Sequence, residues 1–235
     1  MADKALIIAR VTAQIARAAN LRAAASSDPK AMAARQKLRA WQAERLARTH
    51  ADLVAHPRFG DAAQFFLTDI YGANDQGARD AEIQRVVPTA AKVLSVAGIE
   101  TVANAIELDA LSEDLDAAMV TALGRRVATL DAAAYGKAYR KVDRRPDRER
   151  QIALIEELGQ SLDRLTRQPF ISATLTLMRK PAQLAGLGNL QNFLERGFTA
   201  FRKMGKSDEL VGLIASRERK VLEALFAGDD SLLCA

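Results

Sequence analysis

The sequence predicts an all-α protein of about nine helices, with a long N-terminal antiparallel helix pair and no sheet. Three observations predict this class. The 235 residues include only 13 glycines, 6 prolines and 5% aromatic residues, so residues that favour turns and strands are scarce. Apolar residues recur at spacings of three and four along most of the chain, which is the period of a helix buried on one face. No segment shows the sustained alternation of apolar and polar residues that is typical of a half-buried strand.

The N-terminal region is predicted to form two long helices. The first covers about residues 4 to 25, where apolar residues share one face. Asp28 and Pro29 then provide the N-cap and the first helical residue of the second helix. Pro57 disfavours helical geometry in the residue before it, so we expect the second helix to end at about His56.

The middle of the chain is predicted to form four more helices. Phe66 lies on the apolar face of the third helix, and the fourth is expected to begin near Ala78 and to be kinked at Pro88. A fifth helix follows. We interpret Ser112, with the acidic Glu113 after it, as the N-cap and first turn of a sixth.

The segment from residue 135 to 150 is the best candidate for a subdomain boundary within a single domain of residues 1 to 235. It is polar and basic and contains Pro146, and it is equally compatible with a surface loop. Beyond it, apolar stripes predict the remaining helices, one of which begins at about Pro169.

The net charge of +5 conceals three stretches of different sign. Residues 1 to 58 contain 11 lysines and arginines and 4 acids, residues 59 to 134 contain 5 and 12, and residues 135 to 235 contain 18 and 13. If these stretches pack together, their charges compensate each other across helix interfaces. The pI of about 9.5 is therefore a weak indication of nucleic-acid binding.

The motifs that the sequence lacks argue against a conventional hydrolase or dehydrogenase. It contains no phosphate-binding loop, dinucleotide fingerprint, HExxH pair or nucleophile elbow, and no Glu-x-x-His pair of a di-iron site. We therefore expect no cofactor and no metal, and we interpret His50 and His56 as surface or capping residues. The single cysteine, Cys234, and the absence of a signal segment or membrane span favour a soluble, cytoplasmic protein.

Some charged residues lie where the helical pattern expects apolar ones. A lone buried charge costs several kcal/mol, so such residues are expected to pair with each other or to line a cavity that holds water or a ligand. An internal salt-bridge network is the first interpretation, and a ligand pocket is the alternative. The candidate pocket residues are Asp69, Tyr71, Arg79, Asp109 and Arg217.

The stretch from residue 56 to 88 contains the motif FFLTDIY, from Phe65 to Tyr71, and resembles an uncharacterised bacterial family named for its FFLEELY motif. The motif departs from that pattern at its fourth, fifth and sixth positions. The stretches LQNFLERGFTAFRKMG (190 to 205) and SRERK (216 to 220) are similar to the C-terminal half of the same family. The resemblance covers almost the whole chain, but it implies no activity, cofactor or site residue.

The biochemical function stays open between three hypotheses. The first is a helical binding module that presents a groove or an interface to a protein partner or to a second copy of itself. The alternative is a protein, or an enzyme, that binds an anionic or amphipathic small molecule in a charged pocket between helices. The weakest is nucleic-acid binding through residues 135 to 150, where seven lysines and arginines are interleaved with Tyr135 and Tyr139.

Overall fold

The computed structural model of the protein describes residues 2–70, 82–83, 85–86 and 96–234. These residues form ten α-helices and no strand, which confirms the predicted all-α class. The helices are α1 (Ala2–Ser26), α2 (Pro29–Thr49), α3 (Ala51–Ala55), α4 (Gly60–Phe65), α5 (Val96–Leu123), α6 (Ala132–Val142), α7 (Arg145–Thr166), α8 (Ile171–Leu184), α9 (Gly188–Met204) and α10 (Asp208–Ala227). A π-helical turn (Phe66–Ile70) follows α4, and 3₁₀ helices follow α5 (Gly124–Thr129) and α10 (Ser231–Leu233). In this part of the chain, no helix is both long and apolar enough to cross a membrane.

The two long N-terminal helices begin where the sequence predicts. Asp28 is the N-cap of α2, and its Oδ1 accepts a hydrogen bond from the backbone N–H of Lys30 at 2.8 Å. The second helix ends earlier than predicted, because His50 leaves helical geometry and the short α3 continues the chain. The predicted helix from Ala78, with its kink at Pro88, lies outside the described residues.

One continuous helix of 28 residues, α5, replaces the two helices predicted there. The predicted N-cap Ser112 lies inside this helix, and its hydroxyl donates to the carbonyl of Leu108 at 2.7 Å. Glu113 was interpreted as an acid of a first turn but is only 2% exposed. A serine followed by an acid is typical of an N-cap and the first turn of a helix. The same pattern also occurs inside a helix when basic side chains of other helices bind the acid, so the prediction was wrong.

The long helix α5 contacts most of the other helices. Its first half packs against α1 in an apolar cluster that includes Val11, Ala103 and Ile106. Its second half packs against α2 and α6 in a cluster that includes Leu38 and Met119. A third cluster joins it to α4, α7, α9 and α10. The hydrophobic core is therefore distributed along α5.

The phenylalanines of the FFLTDIY motif hold α4 against α9. Both rings are buried, and the ring of Phe66 lies 5.6 Å from that of Phe201, measured between centroids. Phe65 packs on Gly197, where a Cβ atom would lie 2.8 Å from the ring atom Cζ of Phe65. The ring therefore occupies the space that a side chain at position 197 would need, and the motif has a packing role.

The basic segment from residue 135 to 150 contributes to the packed core. It forms most of α6, a turn and the first residues of α7. At the turn, Asp143 adopts left-handed geometry with a φ of 49°, which short polar side chains tolerate better than most. Tyr135 and Tyr139 are buried among apolar residues of α2, α5 and α10. The structure therefore differs from an exposed loop at this position, and we propose that the chain is a single domain.

Candidate functional site

The helices surround a cavity of about 970 Å³ that is partly open to solvent. Every helix except α3 contributes to its wall, which is mainly apolar. Small-molecule sites in proteins have volumes of about 300 to 1,000 Å³, so this cavity lies at the upper end of that range. Its charged lining residues are Arg22, Arg35, Arg39, Arg45, Asp69, Asp109, Glu113, Asp116, Arg148 and Glu218.

The carboxylate of Glu113 binds three arginine side chains at the centre of the cavity wall. Nε of Arg22 donates to its Oε1 at 3.1 Å, Arg39 donates to the same oxygen, and Arg35 forms an ion pair with Oε2. Nη2 of Arg35 also donates to the backbone carbonyl of Glu113 at 2.7 Å. One residue of α5 therefore anchors both α1 and α2.

The environment of Glu113 keeps its carboxylate ionised. Burial alone would raise the pKa of Glu113, but the charges of Arg39, Arg35 and Arg22 outweigh burial, so the pKa lies below its ordinary value. Burial lowers the pKa of Arg35. Asp116 adds a second carboxylate, which accepts a hydrogen bond from Nε of Arg39 at 2.9 Å. Removing Glu113 would leave the buried guanidinium of Arg35 and the half-buried ones of Arg22 and Arg39 without this carboxylate.

A second buried ion pair joins α2 to α10 at the cavity wall. Nη1 of Arg45 donates to Oε1 of Glu218 at 2.6 Å, and Nε2 of His50 lies 3.1 Å from the same oxygen. Burial would raise the pKa of Glu218, but Arg45 and His50 hold it at about 2. Of the two predicted roles of His50, surface or capping, the structure has the second: His50 is the C-cap of α2 and is buried.

Arg148 of α7 also lines the cavity, and among the described residues it has no carboxylate partner. Its Nη1 donates to Oε1 of Gln151 at 3.2 Å, and its guanidinium carbon lies 4.7 Å from the ring centroid of Tyr139. Burial raises the pKa of the Tyr139 hydroxyl, which is therefore an uncharged donor at neutral pH.

Three buried N–H donors at the cavity have no hydrogen-bond partner among the described residues. They are Nε of Arg35, Nε of Arg45 and Nη2 of Arg148. Oε2 of Glu113, an acceptor in the same wall, also has no hydrogen bond, although it faces Arg35 in an ion pair. A buried polar group without a partner costs about 1 to 3 kcal/mol. The wall therefore carries donors that the oxygens of an anion or of water can satisfy.

The cavity includes two of the predicted pocket residues. Asp69 forms an ion pair with the exposed Arg196, and Asp109 accepts a hydrogen bond from Nη2 of Arg22 at 2.5 Å. From the sequence, such charges are expected either to form an ion-pair network or to line a ligand pocket. In the structure, Asp69 and Asp109 do both. Tyr71 and Arg79, the other candidates on this part of the chain, lie outside the described residues.

Arg217 was predicted to point inward, and it does not line the cavity. Its guanidinium reaches α3, where its two terminal nitrogens donate to the exposed carboxylate of Asp52 at 2.6 and 2.7 Å. The charged residue of α10 that lines the cavity is its neighbour Glu218. Both positions fit the apolar stripe of α10, but the long arginine stem lets the charged end reach solvent.

The central residues of the cavity wall were not predicted, although the sequence contains a signal for them. Glu113 follows Ile99 and Ile106 at intervals of seven, so it shares their helix face. On α2, Arg35 lies three residues before the buried Leu38. Each is a charge at an apolar position, which is the criterion that selected Asp109 and Arg217.

The basic segment from residue 135 to 150 does not offer the features expected of a nucleic-acid site. Tyr135 and Tyr139 are buried and are not exposed for stacking on bases. Four of its five arginines bind carboxylates of the same chain, and the fifth, Arg148, contacts Gln151 and Tyr139. The pairs are Arg140 with Asp230, Arg144 with Asp114 and Asp147, Arg145 with Glu149, and Arg150 with Glu107 and Glu157.

The fold and the site define an all-helical protein built around a charged interior cavity. The chain belongs to a family described as Domain of unknown function (DUF8198), which matches residues 21–232. No curated protein and no solved structure matches the chain. The matched region contains Glu113, its three arginines, Arg45 and Arg148, so the charged wall lies within the family's domain. In the described part of the chain, no group of His, Cys, Asp or Glu could hold a metal ion.

The first testable prediction concerns Glu113→Gln. We expect it to lower the free energy of unfolding by about 3 to 5 kcal/mol, because it strands buried guanidinium groups. Urea unfolding at pH 7 measures the change. The control is Glu149→Gln, which removes an exposed pair with Arg145 and is expected to cost less than about 1 kcal/mol. Equal small losses in the two variants would contradict the anchoring role of Glu113.

The second prediction concerns pH. The pKa of Glu218 is about 2 in the folded protein and has an ordinary value of 4.5, so the carboxylate stabilises the fold fully above about pH 4.5. This contribution, about 3 kcal/mol, is lost as the pH falls from 4.5 toward 2. The free energy of unfolding should therefore fall more steeply in that window for the wild type than for Glu218→Gln. Parallel pH profiles would contradict the prediction.

Proposed function

We propose that the protein binds a small anionic or amphipathic molecule in its interior cavity. The observation that carries the proposal is the presence, in one mainly apolar cavity, of buried guanidinium donors without acceptors among the described residues. A network with a purely structural role is expected to use its donors, because an unsatisfied buried donor is costly. An anion with an apolar part would satisfy both the donors and the apolar wall.

Binding is favoured over catalysis by the chemistry of the described wall. Its charged groups are arginines and carboxylates, most of which are held in ion pairs. His50, the obvious general base by residue type, is held by Glu218 and does not line the cavity. Burial raises the pKa of Tyr139, so its hydroxyl stays protonated at neutral pH and can donate a hydrogen bond but does not act as a general base.

We also propose a bacterial and cytoplasmic protein of the FFLEELY type. The FFLTDIY motif and the two C-terminal stretches support the family, and the single, exposed cysteine, Cys234, supports a reducing compartment.

The third prediction tests whether a small molecule occupies the cavity. Native mass spectrometry of the full chain purified from its own host should detect a single small-molecule adduct on the 25.5 kDa chain, lost on denaturation. After removal of the adduct, the thermal midpoint of unfolding should fall, and it should rise again when the extracted molecule is added back. A bare chain whose thermal midpoint does not respond to an organic extract of the host would overturn the proposal.

Self-association is a second candidate function, favoured by an exposed apolar row on α8. Phe170, Leu177 and Leu184 are 78%, 76% and 90% exposed and are spaced by seven residues. The row is symmetric about Leu177, so two copies packed antiparallel would place Leu177 against its equivalent and Phe170 opposite Leu184. In this arrangement the exposed Lys180 faces Thr174 rather than a second cation, so like charges do not oppose each other. The proposed occupant of this surface is therefore a second copy of the chain.

The fourth prediction tests this surface. Light scattering at high protein concentration should return the mass of two chains of 25.5 kDa, and Leu177→Glu should reduce it to that of one chain. The control is Thr176→Glu, which adds the same charge at the next residue and outside the row, and which should leave the dimer intact. A single-chain mass for the wild type would exclude self-association through this surface.

A further inference from the structure

We infer that the cavity ligand is a long-chain monocarboxylate, with its carboxylate between Arg45 and Arg148 and its hydrocarbon chain along α7. This inference deepens the proposed function and rests on it. It assigns the charge and the position of the ligand's carboxylate head group and the shape of its hydrocarbon tail, each from a separate observation.

The charges at this end of the cavity sum to one positive charge. Arg45 and Glu218 compensate each other at 2.6 Å. Arg148 has only neutral partners among the described residues, namely the side-chain amide of Gln151 and the ring of Tyr139. One half-buried positive charge without a carboxylate partner among the described residues is matched by one negative charge, whereas a dianion would bring a second negative charge into the cavity without a partner.

The unused donors locate the head. Nε of Arg45 and Nη2 of Arg148 are both buried and have no acceptor among the described residues, and both side chains line the cavity. Arg45 is only 8% exposed, so the site is built into the core. The guanidinium carbon of Arg148 lies 4.7 Å from the ring centroid of Tyr139, which lies 5.9 Å from that of Tyr135. The hydroxyl of Tyr135 accepts from Nε2 of Gln42 at 3.5 Å, one turn before Arg45 on α2, so both arginines lie beside the same pair of tyrosines. A carboxylate there has two oxygens, one for each unused donor, and forms charge-assisted hydrogen bonds.

The lining of α7 indicates the shape of the tail. This helix presents one stripe to the cavity, and the stripe is polar only toward the N-terminus of the helix. The stripe consists of Arg148, Gln151, Ile152, Ile155, Leu158, Leu162 and Leu165. At a rise of 1.5 Å per residue, its 17 steps extend about 26 Å, which suits an extended hydrocarbon chain better than a compact molecule.

The far end of the cavity is compatible with hydrocarbon. Phe193 and Phe198 of α9 line it together with Leu165. The carboxylate at that end, Asp69, is paired with the exposed Arg196, so its charge is compensated from the protein surface. The head and the tail are therefore assigned to opposite ends of the cavity.

The fifth prediction tests the head group with four probes whose hydrocarbon tails differ by at most one carbon: decanoate, decanol, decyl phosphate and decyltrimethylammonium. Calorimetric titration of the full chain, freed of bound lipid, should give the tightest binding for decanoate. Arg148→Gln should weaken decanoate binding by about 10- to 100-fold and leave decanol binding unchanged, because only decanoate uses the charge. Unchanged decanol binding also shows that the variant is folded.

The matched control is Arg145→Gln, which removes a charge from an exposed residue of the same helix. It should leave the affinities for all four probes unchanged. Decanol binding as tightly as decanoate would overturn the assigned head, and tighter binding of decyl phosphate would overturn the single negative charge. If native mass spectrometry detects a bound molecule but no probe binds, the inference fails and the proposed function stands. If neither is observed, both fail.

Discussion

In the middle of α5, the carboxylate of Glu113 binds guanidinium groups from two other helices, and the arrangement of the cavity depends on this contact. Arg22 reaches it from α1, and Arg35 and Arg39 reach it from α2. Buried ion pairs add little net stability compared with packed hydrocarbon, but the loss of one partner strands the other. Such a group therefore restricts how helices meet more strictly than apolar contacts do. Here it requires α1 and α2 to meet α5 at one point, and the charged wall of the cavity forms around that point.

The same contact explains the uneven charge along the chain. The basic first stretch supplies Arg22, Arg35 and Arg39, and the acidic middle stretch supplies Glu113 and Asp116. The basic third stretch pairs with the middle one as well, through Arg144 with Asp114 and Arg150 with Glu107. The predicted compensation across helix interfaces is confirmed for these pairs. The high pI is thus compatible with a chain whose arginines are largely used internally. The charge pattern predicted compensation if the stretches packed together, but not which residues would pair.

The helical class followed from the spacing of apolar residues, because that spacing depends only on the backbone period. The site was harder to predict because two patterns were ambiguous. A serine followed by an acid fits an N-cap as well as a helix interior, and Ser112 with Glu113 belongs to the second case. Two adjacent charges can both fit one apolar stripe, and on α10 the inward one is Glu218 rather than Arg217. Resolving either case requires knowledge of which helices lie opposite, and a single sequence does not contain it.

A cavity of about 970 Å³ between helices departs from the dense packing of most protein cores, even though it is partly open to solvent. The buried ion pairs oppose its collapse, because closing the helices would displace the guanidinium groups from their carboxylates. Without a ligand, this open arrangement leaves N–H groups of Arg45 and Arg148 without an acceptor, which lowers the free energy of unfolding. A molecule that supplies acceptors and fills the apolar part removes both costs, and it binds the folded chain only. The proposed ligand binding would therefore be coupled to folding stability through the same unsatisfied donors.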